Sequence, residues 1–298
     1  MPGKILVSGV SGPIGAALLP SLNEQGYQVT RLVRAKSSGQ GQIAWNPGHA
    51  IASELVSGFD AVVHLAGESI VGRWTEAKKR RIVESRVPAT RYLAEALGQA
   101  KQPPRVLISA SAVGYYGNRG EEVLREESAS GTGFLAEICR EWEGAAEPAA
   151  TAGIRTAQIR MGLVLSPVGG ALQKMLPPFR MGLGGNLGTG RQWWSWIDVQ
   201  DIVGVIHHIM KTDSLQGAVN LVAPNPVTNA EFTKTLAGVL SRPAVFPMPA
   251  FAARLAFGQM ADELLLASQR VEPAKLIASG YKFQHAELEP ALREILQR

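Results

Sequence analysis

The stretch Lys4 to Gly15, reading KILVSGVSGPIG, constrains this chain more than any other. Lys4-Ile5-Leu6-Val7-Ser8 is a short apolar run suited to a buried parallel strand. Glycines follow at Gly9, Gly12 and Gly15, and Pro13 stands where a helix would begin, continued by Ala16-Ala17-Leu18-Leu19. A strand, a glycine-rich turn and a helix start make an anion site, because backbone N–H groups and the positive end of the helix dipole face one point. Gly9 permits the turn, Gly12 lets a pyrophosphate approach the backbone, and Gly15 lets the helix pack on the strand. Ser11, Pro13 and Ile14 complete the candidate contacts of this turn. Pro13 costs little there, since an N1 amide has no intrahelical partner. The alternative is a turn that serves packing alone. Its context, a strand before and a helix after, is the one a dinucleotide site requires.

The acid that usually meets the ribose 2′-hydroxyl of NAD belongs at the end of the second strand. That strand reads YQVTRLV from Tyr27 to Val33, and no acid occurs from Tyr27 to Trp45. Arg31, Arg34 and Lys36 are there instead. Arg34 stands about 20 positions beyond Gly15, where the ribose contact falls. A guanidinium there pairs with a 2′-phosphate, which favours NADP over NAD. A solvated basic loop is the competing reading.

Further along, Gly58 to Gly67 (GFDAVVHLAG) reads as a strand whose small-residue end, HLAG with Leu65, Ala66 and Gly67, suits close approach to a cofactor. His64 reads as a packed strand-end histidine. Residues 75–100 read as one long helix with Ile82, Arg86, Thr90, Leu93 and Leu97 on one face and a kink at Pro88. The next strand, Arg105 to Ser111, carries Ser109, Ser111, Tyr115 and Tyr116 at its carboxyl end (SASAVGYYG), where ligands bind in doubly wound sheets. A helix follows from Phe134 to Ala146, then a strand from Ile154 to Arg160 that runs into MGLVLSP with Val164.

Residues 167–193 are rich in glycine, proline and methionine and read as a substrate loop region rather than core. Trp193, Trp194 and Trp196 have two readings, as a cap on an apolar substrate or as packing of a junction, with packing favoured for two of the three. Arg180 and Arg191 flank the glycine-rich segment and are candidates for a substrate phosphate, or solvated side chains. Asp198 to Ile202 opens a helix, Ala218 to Val222 is a late strand, and Thr228-Asn229-Ala230-Glu231 is a capping box.

Composition excludes other classes. Hydrophobic residues are 46% and charged residues 18% of 298, enough to bury a large core. The net charge of +5 is scattered, without a basic block interleaved with aromatics, so nucleic acid is not an expected partner. The single cysteine, Cys139, precludes an intrachain disulfide and suits a reducing cytoplasm. The chain enters its first strand directly, so no signal peptide is expected. No apolar run approaches the ~20 residues of a membrane span. His207 and His208 lack partners at metal-ligand spacing, so no metal site is expected.

With these landmarks the chain resembles the extended short-chain dehydrogenase/reductase superfamily of the sugar-nucleotide epimerase type. SGVSGPIG, FDAVVHLAG, SASAVGYYG, WSWIDVQDI and VNLVAPNPVTNAEF resemble its ordered motifs. The tail LLLASQRVEPAKLIASGYKF is similar to that of its atypical subgroup, the epimerase family proteins. The resemblance implies an α/β fold, a Rossmann-type doubly wound parallel sheet with a smaller C-terminal substrate lobe. Residues 1–165, with 195–222 returning to the sheet, would bind NADP; 166–194 and 223–298 would form the lobe. Cofactor contacts would come from Gly9, Ser11, Gly12, Pro13, Ile14, Gly15, Arg34, Leu65, Ala66, Gly67, Arg86 and Val164. The partner would be a small-molecule substrate.

One departure from the superfamily pattern bears on chemistry. Its enzymes carry Tyr-x-x-x-Lys on the helix after the serine strand, the tyrosine moving a proton as hydride moves at carbon. Here that helix reads GTGFLAEICREWE, and alignment on Glu143 puts Leu135 and Cys139 at the two positions. Arg86, in ESRVPAT, matches a subgroup arginine and would supply positive charge near the cofactor, its alternative being a surface salt bridge. Ser111 matches the retained serine, with Ser109 as the alternative, and Tyr115 or Tyr116 is the nearest phenol. The function implied is an NADP-dependent epimerase or oxidoreductase for a small carbonyl or sugar-like compound. A catalytically silent NADP-binding sensor is the alternative.

Overall fold

In the computed structural model, which describes residues 3–34 and 39–297, the opening stretch is strand β1 (Lys4–Ser8) running into helix α1 (Pro13–Glu24). Lys36 lies outside the described residues. The chain continues through β2 (Gln28–Val33), β3 (Gln42–Ala44), β4 (Ala61–His64), α2 (Glu76–Glu84), α3 (Val87–Gly98) and β5 (Val106–Ala112). Next come β6 (Val123–Leu124), α4 (Phe134–Ala145), α5 (Glu147–Thr151), β7 (Arg155–Met161), β8 (Leu163–Leu165) and α6 (Gly170–Arg180). The last third holds β9 (Trp193–Trp194), β10 (Trp196–Asp198), α7 (Val199–Lys211), β11 (Gly217–Leu221), β12 (Val227–Thr228) and α8 (Asn229–Leu240). It closes with α9 (Ala250–Phe257), β13 (Arg270–Val271), α10 (Ala274–Ala278) and α11 (Leu288–Leu296).

Seven strands form one sheet in the order β11-β7-β5-β4-β1-β2-β3, every pairing parallel. The chain winds one way from β1 to β3 and the other way from β4 to β11. The reversal lies between β1 and β4, which is where a doubly wound sheet opens a crevice. Alternate residues of each strand serve opposite faces. Ile5, Val7, Val63, Ile108 and Ile159 pack with Leu18 of α1 and Ile202 and Ile206 of α7. Leu6, Val62 and Leu107 pack with Leu93 and Leu97 of α3 and Ala149 of α5. This is the Rossmann-type doubly wound α/β sheet that the strand pattern implies.

Residues 75–100 are two helices rather than one kinked helix. Arg86 leaves helical geometry (φ −116°, ψ −65°) and Pro88 sits in the first turn of α3. A proline has no amide to donate, so the first turn of a new helix accepts it where a continuous helix would lose a bond. The segment 167–193 also differs from the loop expected of it. Residues 170–180 form α6, and Leu172, Leu176 and Phe179 join Trp194, Trp196, Phe232 and Leu292 in the core of a lobe built from α6, α8 and α11. The capping box predicted at Thr228 is present, with Glu231 Oε2 accepting from the Thr228 amide at 2.7 Å.

The tail does not stay in the lobe. Strand β13 pairs with β6, and Leu276 enters the core of the main sheet with Tyr281 and Phe283 packed beside it. Asp201 of α7, fully buried, accepts hydrogen bonds from the Tyr281 hydroxyl and from the amides of Gln284 and His285. Among the described residues, no helix is long and apolar enough to cross a membrane.

Candidate functional site

The carboxyl ends of β1 and β4 meet around the glycine turn. Gly9 has φ +74°, and a Cβ there would lie 2.5 Å from the Leu65 carbonyl. A Cβ on Gly15 would lie 2.5 Å from the Val10 Cα. Both glycines are therefore required by the chain's own packing. Gly12 is different. Its φ of −81° suits any residue, and a Cβ would meet only the Gly9 carbonyl oxygen at 3.5 Å. Nothing among the described residues needs a glycine at Gly12. A group that lies against its backbone does, and a pyrophosphate at the α1 N-terminus is such a group. Ser11, Pro13 and Ile14 stand at this same turn, and Leu65, Ala66 and Gly67 form the adjacent strand end. The residues present thus fit a dinucleotide.

Beneath the turn, Ser8 Oγ and His64 Nδ1 lie 2.6 Å apart across the paired ends of β1 and β4. Burial alone pulls the His64 pKa down to about 4, so the ring is neutral at pH 7. It is the packed histidine anticipated.

At the β2 end, Arg34 is exposed and close enough to Glu68 to help hold its carboxyl below the ordinary range. The larger cause is Lys78, whose Nζ donates to Glu68 Oε1 at 2.9 Å; Arg81 Nε lies 3.9 Å from the same oxygen. Three cations therefore surround one carboxylate, leaving net positive charge beside the strand ends. Lys78 and Arg81 are additions from the structure. They stand too far along the chain from β2 for motif spacing to reveal them.

Arg86 caps this region from the break between α2 and α3. Its guanidinium donates to the Glu68 carbonyl (2.9 Å), the Ile82 carbonyl (3.2 Å) and Ser85 Oγ (3.3 Å), and lies over the Trp142 ring at 4.9 Å. A Cβ on Gly67 would come within 3.1 Å of it. Of its two sequence readings, the surface salt bridge gives way. Arg86 is a clamp on the loop after β4 and faces the crevice.

That crevice has a volume of about 670 Å³ and lies between the sheet's carboxyl edge and the lobe. Arg86, Gly114 and Val164 line its nucleotide side, and helix α4 presents Leu135, Ile138, Cys139 and Trp142 to it. Cys139 is buried, and burial, reinforced by Glu143, pushes its thiol up to about 12. It is a packing residue at neutral pH.

Ser111 has a different placement from that expected of a substrate-holding hydroxyl. Strand β5 runs one residue past it, and the crevice wall there is Ala112, Val113 and Gly114. Ser111 is fully buried and donates to Glu143 Oε1 at 2.6 Å. Glu143 also accepts from Arg160 Nε and Nη2, each at 2.8 Å. The Tyr115 ring covers the Arg160 guanidinium at 3.5 Å, and Arg160 Nη1 donates to the Tyr116 hydroxyl at 2.9 Å. Both named candidates, Ser111 and Tyr115, thus belong to a buried ionic network behind the wall. The other candidate serine, Ser109, is buried as well.

Trp194 and Trp196 pack the lobe core, as favoured for two of the three tryptophans. Trp193 donates from Nε1 to Glu121 at 2.6 Å and lies under the Arg270 guanidinium. Glu263 carries a role that motif reading missed. Helix α4 begins at Gly133 without a side-chain cap. Glu263 replaces that cap, accepting from the amides of Phe134 (3.2 Å) and Leu135 (2.8 Å). A GTG sequence before an amphipathic helix, with no Ser, Asp or Asn at the cap, was the available signal.

A parallel sheet that reverses at β1 and β4, with a glycine turn at the reversal and a crevice beyond it, defines a dinucleotide-binding protein of epimerase type. The model of the NAD dependent epimerase/dehydratase family matches residues 5–221, and that of a domain of unknown function, DUF1731, matches 248–295. The chain belongs to the NAD dependent epimerase/dehydratase family. It is 41% identical over 290 residues to epimerase family protein Mb2239 of Mycobacterium bovis, covering 97% of this chain and 96% of that one. It is 37% identical over 297 residues to human epimerase family protein SDR39U1, covering 98% and 99%. The crystal structure of the human protein (isoform 2) with NADPH is similar at a TM-score of 0.90 and 36% identity, covering 99% of each chain.

Proposed function

We propose that this protein binds NADP and acts as an epimerase or oxidoreductase on a small carbonyl or sugar-like compound, without the usual Tyr-x-x-x-Lys pair. The observation that carries the reading is Gly12, a glycine the chain's own packing does not require, at the α1 N-terminus beside the positive strand ends. Arg34, with Lys78 and Arg81 near it, favours the 2′-phosphate of NADP over the bare ribose of NAD. The NADPH held by the similar human protein supports the same choice. Arg86 keeps the loop after β4 closed and places positive charge at the crevice's nucleotide side.

What bound NADP supplies is hydride exchange at a carbonyl or carbinol carbon. The chain's part is to orient and to exclude water. Leu135 has no ionisable proton and the Cys139 thiol, pushed up to about 12, is a poor acid, so neither replaces the missing tyrosine and the proton comes from an unidentified acid or one borne by the substrate. The same two residues favour a second reading, a cofactor-binding sensor that does not turn over. NADPH fluorescence decides both points. Tighter binding of NADPH than NADH supports the cofactor assignment, and equal affinity refutes it. Oxidation of NADPH, or a product detected for a cofactor-regenerating epimerase, with any carbonyl compound supports an enzyme; binding without turnover across a broad panel supports the sensor.

A further inference from the structure

The chemistry of the crevice lining identifies a ligand class that the cofactor reading leaves open. A nucleotide sugar is recognised by many hydrogen bonds, one or more for each hydroxyl and phosphate. Several of the polar groups that line this crevice are already committed to the chain. Arg86 donates to two carbonyls and to Ser85. Glu263 accepts from two α4 amides and from Gln259 Nε2 at 2.6 Å. Ser195 donates to the Gln269 carbonyl and accepts from the Val271 amide, and Asn229 Oδ1 accepts from the Leu187 amide. Diverting any of these to a sugar would strand a buried partner, at a cost of about 1–3 kcal/mol each.

Thr233, Gln269 and Trp194, whose buried Nε1 has no partner among the described residues, add a few polar atoms; most of the lining is hydrocarbon. Beyond the nucleotide side, the walls are Leu163, Met175, Phe179, Phe232, Phe257 and Leu264, contributed by β8, by α6 and α8 and by the tail. The mouth is apolar too. Leu183, Phe246 and Met248 line the crevice and are 51%, 57% and 37% exposed. Lys174, exposed on α6, is the cation at this end. Large hydrocarbon side chains left in water at the entrance of an apolar cavity are what an apolar ligand covers when it binds.

We propose that the lobe side of the crevice binds an apolar molecule with a single polar group, and not a nucleotide sugar; that its polar group is a carbonyl rests on the proposed NADP chemistry. The volume of about 670 Å³ suits a medium-chain or polycyclic compound. Substrate choice is then made by shape and hydrocarbon contact, with Lys174 accommodating a polar end at the mouth.

The test is direct binding of N-phenyl-1-naphthylamine, a probe whose fluorescence rises in apolar surroundings, to the full-length protein. Decan-2-one and UDP-glucose serve as competitors, each with and without NADPH. Two variants change the lobe side only: Ala171→Phe fills the cavity, and Leu264→Asn makes its wall polar. NADPH affinity and melting temperature report whether each variant is folded. The expected result is displacement by decan-2-one and not by UDP-glucose, with probe affinity about tenfold lower in both variants. Displacement by UDP-glucose at concentrations where decan-2-one has no effect overturns the proposal. So does unchanged probe affinity in a variant that still binds NADPH. Failure of NADPH to bind at all refutes the cofactor assignment separately, because the probe is read without it.

Discussion

The Glu263 carboxylate accepts the backbone amide of Leu135 at 2.8 Å, across a separation of 128 residues. The contact joins the C-terminal segment to the first turn of the helix that faces the crevice. It does for α4 what a local Ser or Asp does for most helices, and it adds a charge at the favourable end of the dipole. Replacing Glu263 by Ala should cost about 1–2 kcal/mol, as the loss of a helix cap does. Glu263→Gln, which keeps an acceptor, should recover part of that loss. Urea unfolding of the three proteins checks it; equal stabilities would show that the contact contributes nothing.

Gly9 and Gly12 lie three residues apart in one turn and should fail differently. Gly9→Ala forces a Cβ against the Leu65 backbone at φ +74°, so the folded yield and melting temperature should fall sharply. Gly12→Ala meets no such obstacle among the described residues. It should fold with a near-normal melting temperature and lose dinucleotide binding, measured by NADPH fluorescence.

Arg34→Ala tests the choice of nucleotide. Removal of a charge-assisted contact to a 2′-phosphate costs about 1.5–3 kcal/mol, a loss of roughly tenfold or more for NADPH. NADH affinity should be unchanged. Parallel titrations give the ratio, and an equal loss for both cofactors would remove Arg34 from the specificity site.

Ser111→Ala separates position from chemistry. The hydroxyl's partner is Glu143, held by Arg160, so the variant should lose about 1–2 kcal/mol of stability and keep NADPH affinity. Arg160→Met should be far worse, about 3–5 kcal/mol, because it leaves the Glu143 carboxylate buried without its cation. Chemical denaturation ranks the two; a Ser111→Ala protein as stable as wild type would contradict the network role.

His64 makes a pH prediction. The imidazole titrates near 6.5 when unfolded and at about 4 in the fold. Above pH 6.5 both states are neutral and stability does not change through this group. As pH falls from 6.5 to 4 the unfolded chain takes up the proton first, so stability falls by up to about 3 kcal/mol. Urea midpoints at pH 7, 5.5 and 4.5 give the slope. His64→Gln should flatten it whatever its effect on absolute stability, and an unaltered slope would assign the acid sensitivity elsewhere.

The sheet and the cofactor turn were readable because each is written locally. Short continuous apolar runs fall on the observed central strands, and Gly9, Gly12 and Gly15 fall on one turn. The lobe was less legible. Leu172, Leu176 and Phe179 repeat at helical spacing, but the glycines and prolines around them mask it, and Pro177 and Pro178 lie inside α6. Its place at a strand's carboxyl end and the family resemblance suggested that Ser111 faces substrate. Its actual partner, Glu143, is contributed by a helix whose rotation against β5 depends on packing with α3. Glu263 and Lys78 act on residues distant in sequence, which no spacing rule encodes.

The return of the tail to α7 bears on how the chain is made. Asp201 is made some 80 residues before the Tyr281 hydroxyl and the Gln284 and His285 amides that satisfy its carboxylate. Until those residues leave the ribosome, α7 carries a carboxylate that cannot be buried at low cost. A chain truncated before Tyr281 should therefore leave the Asp201 carboxylate without these three donors and α7 less stably packed on the sheet.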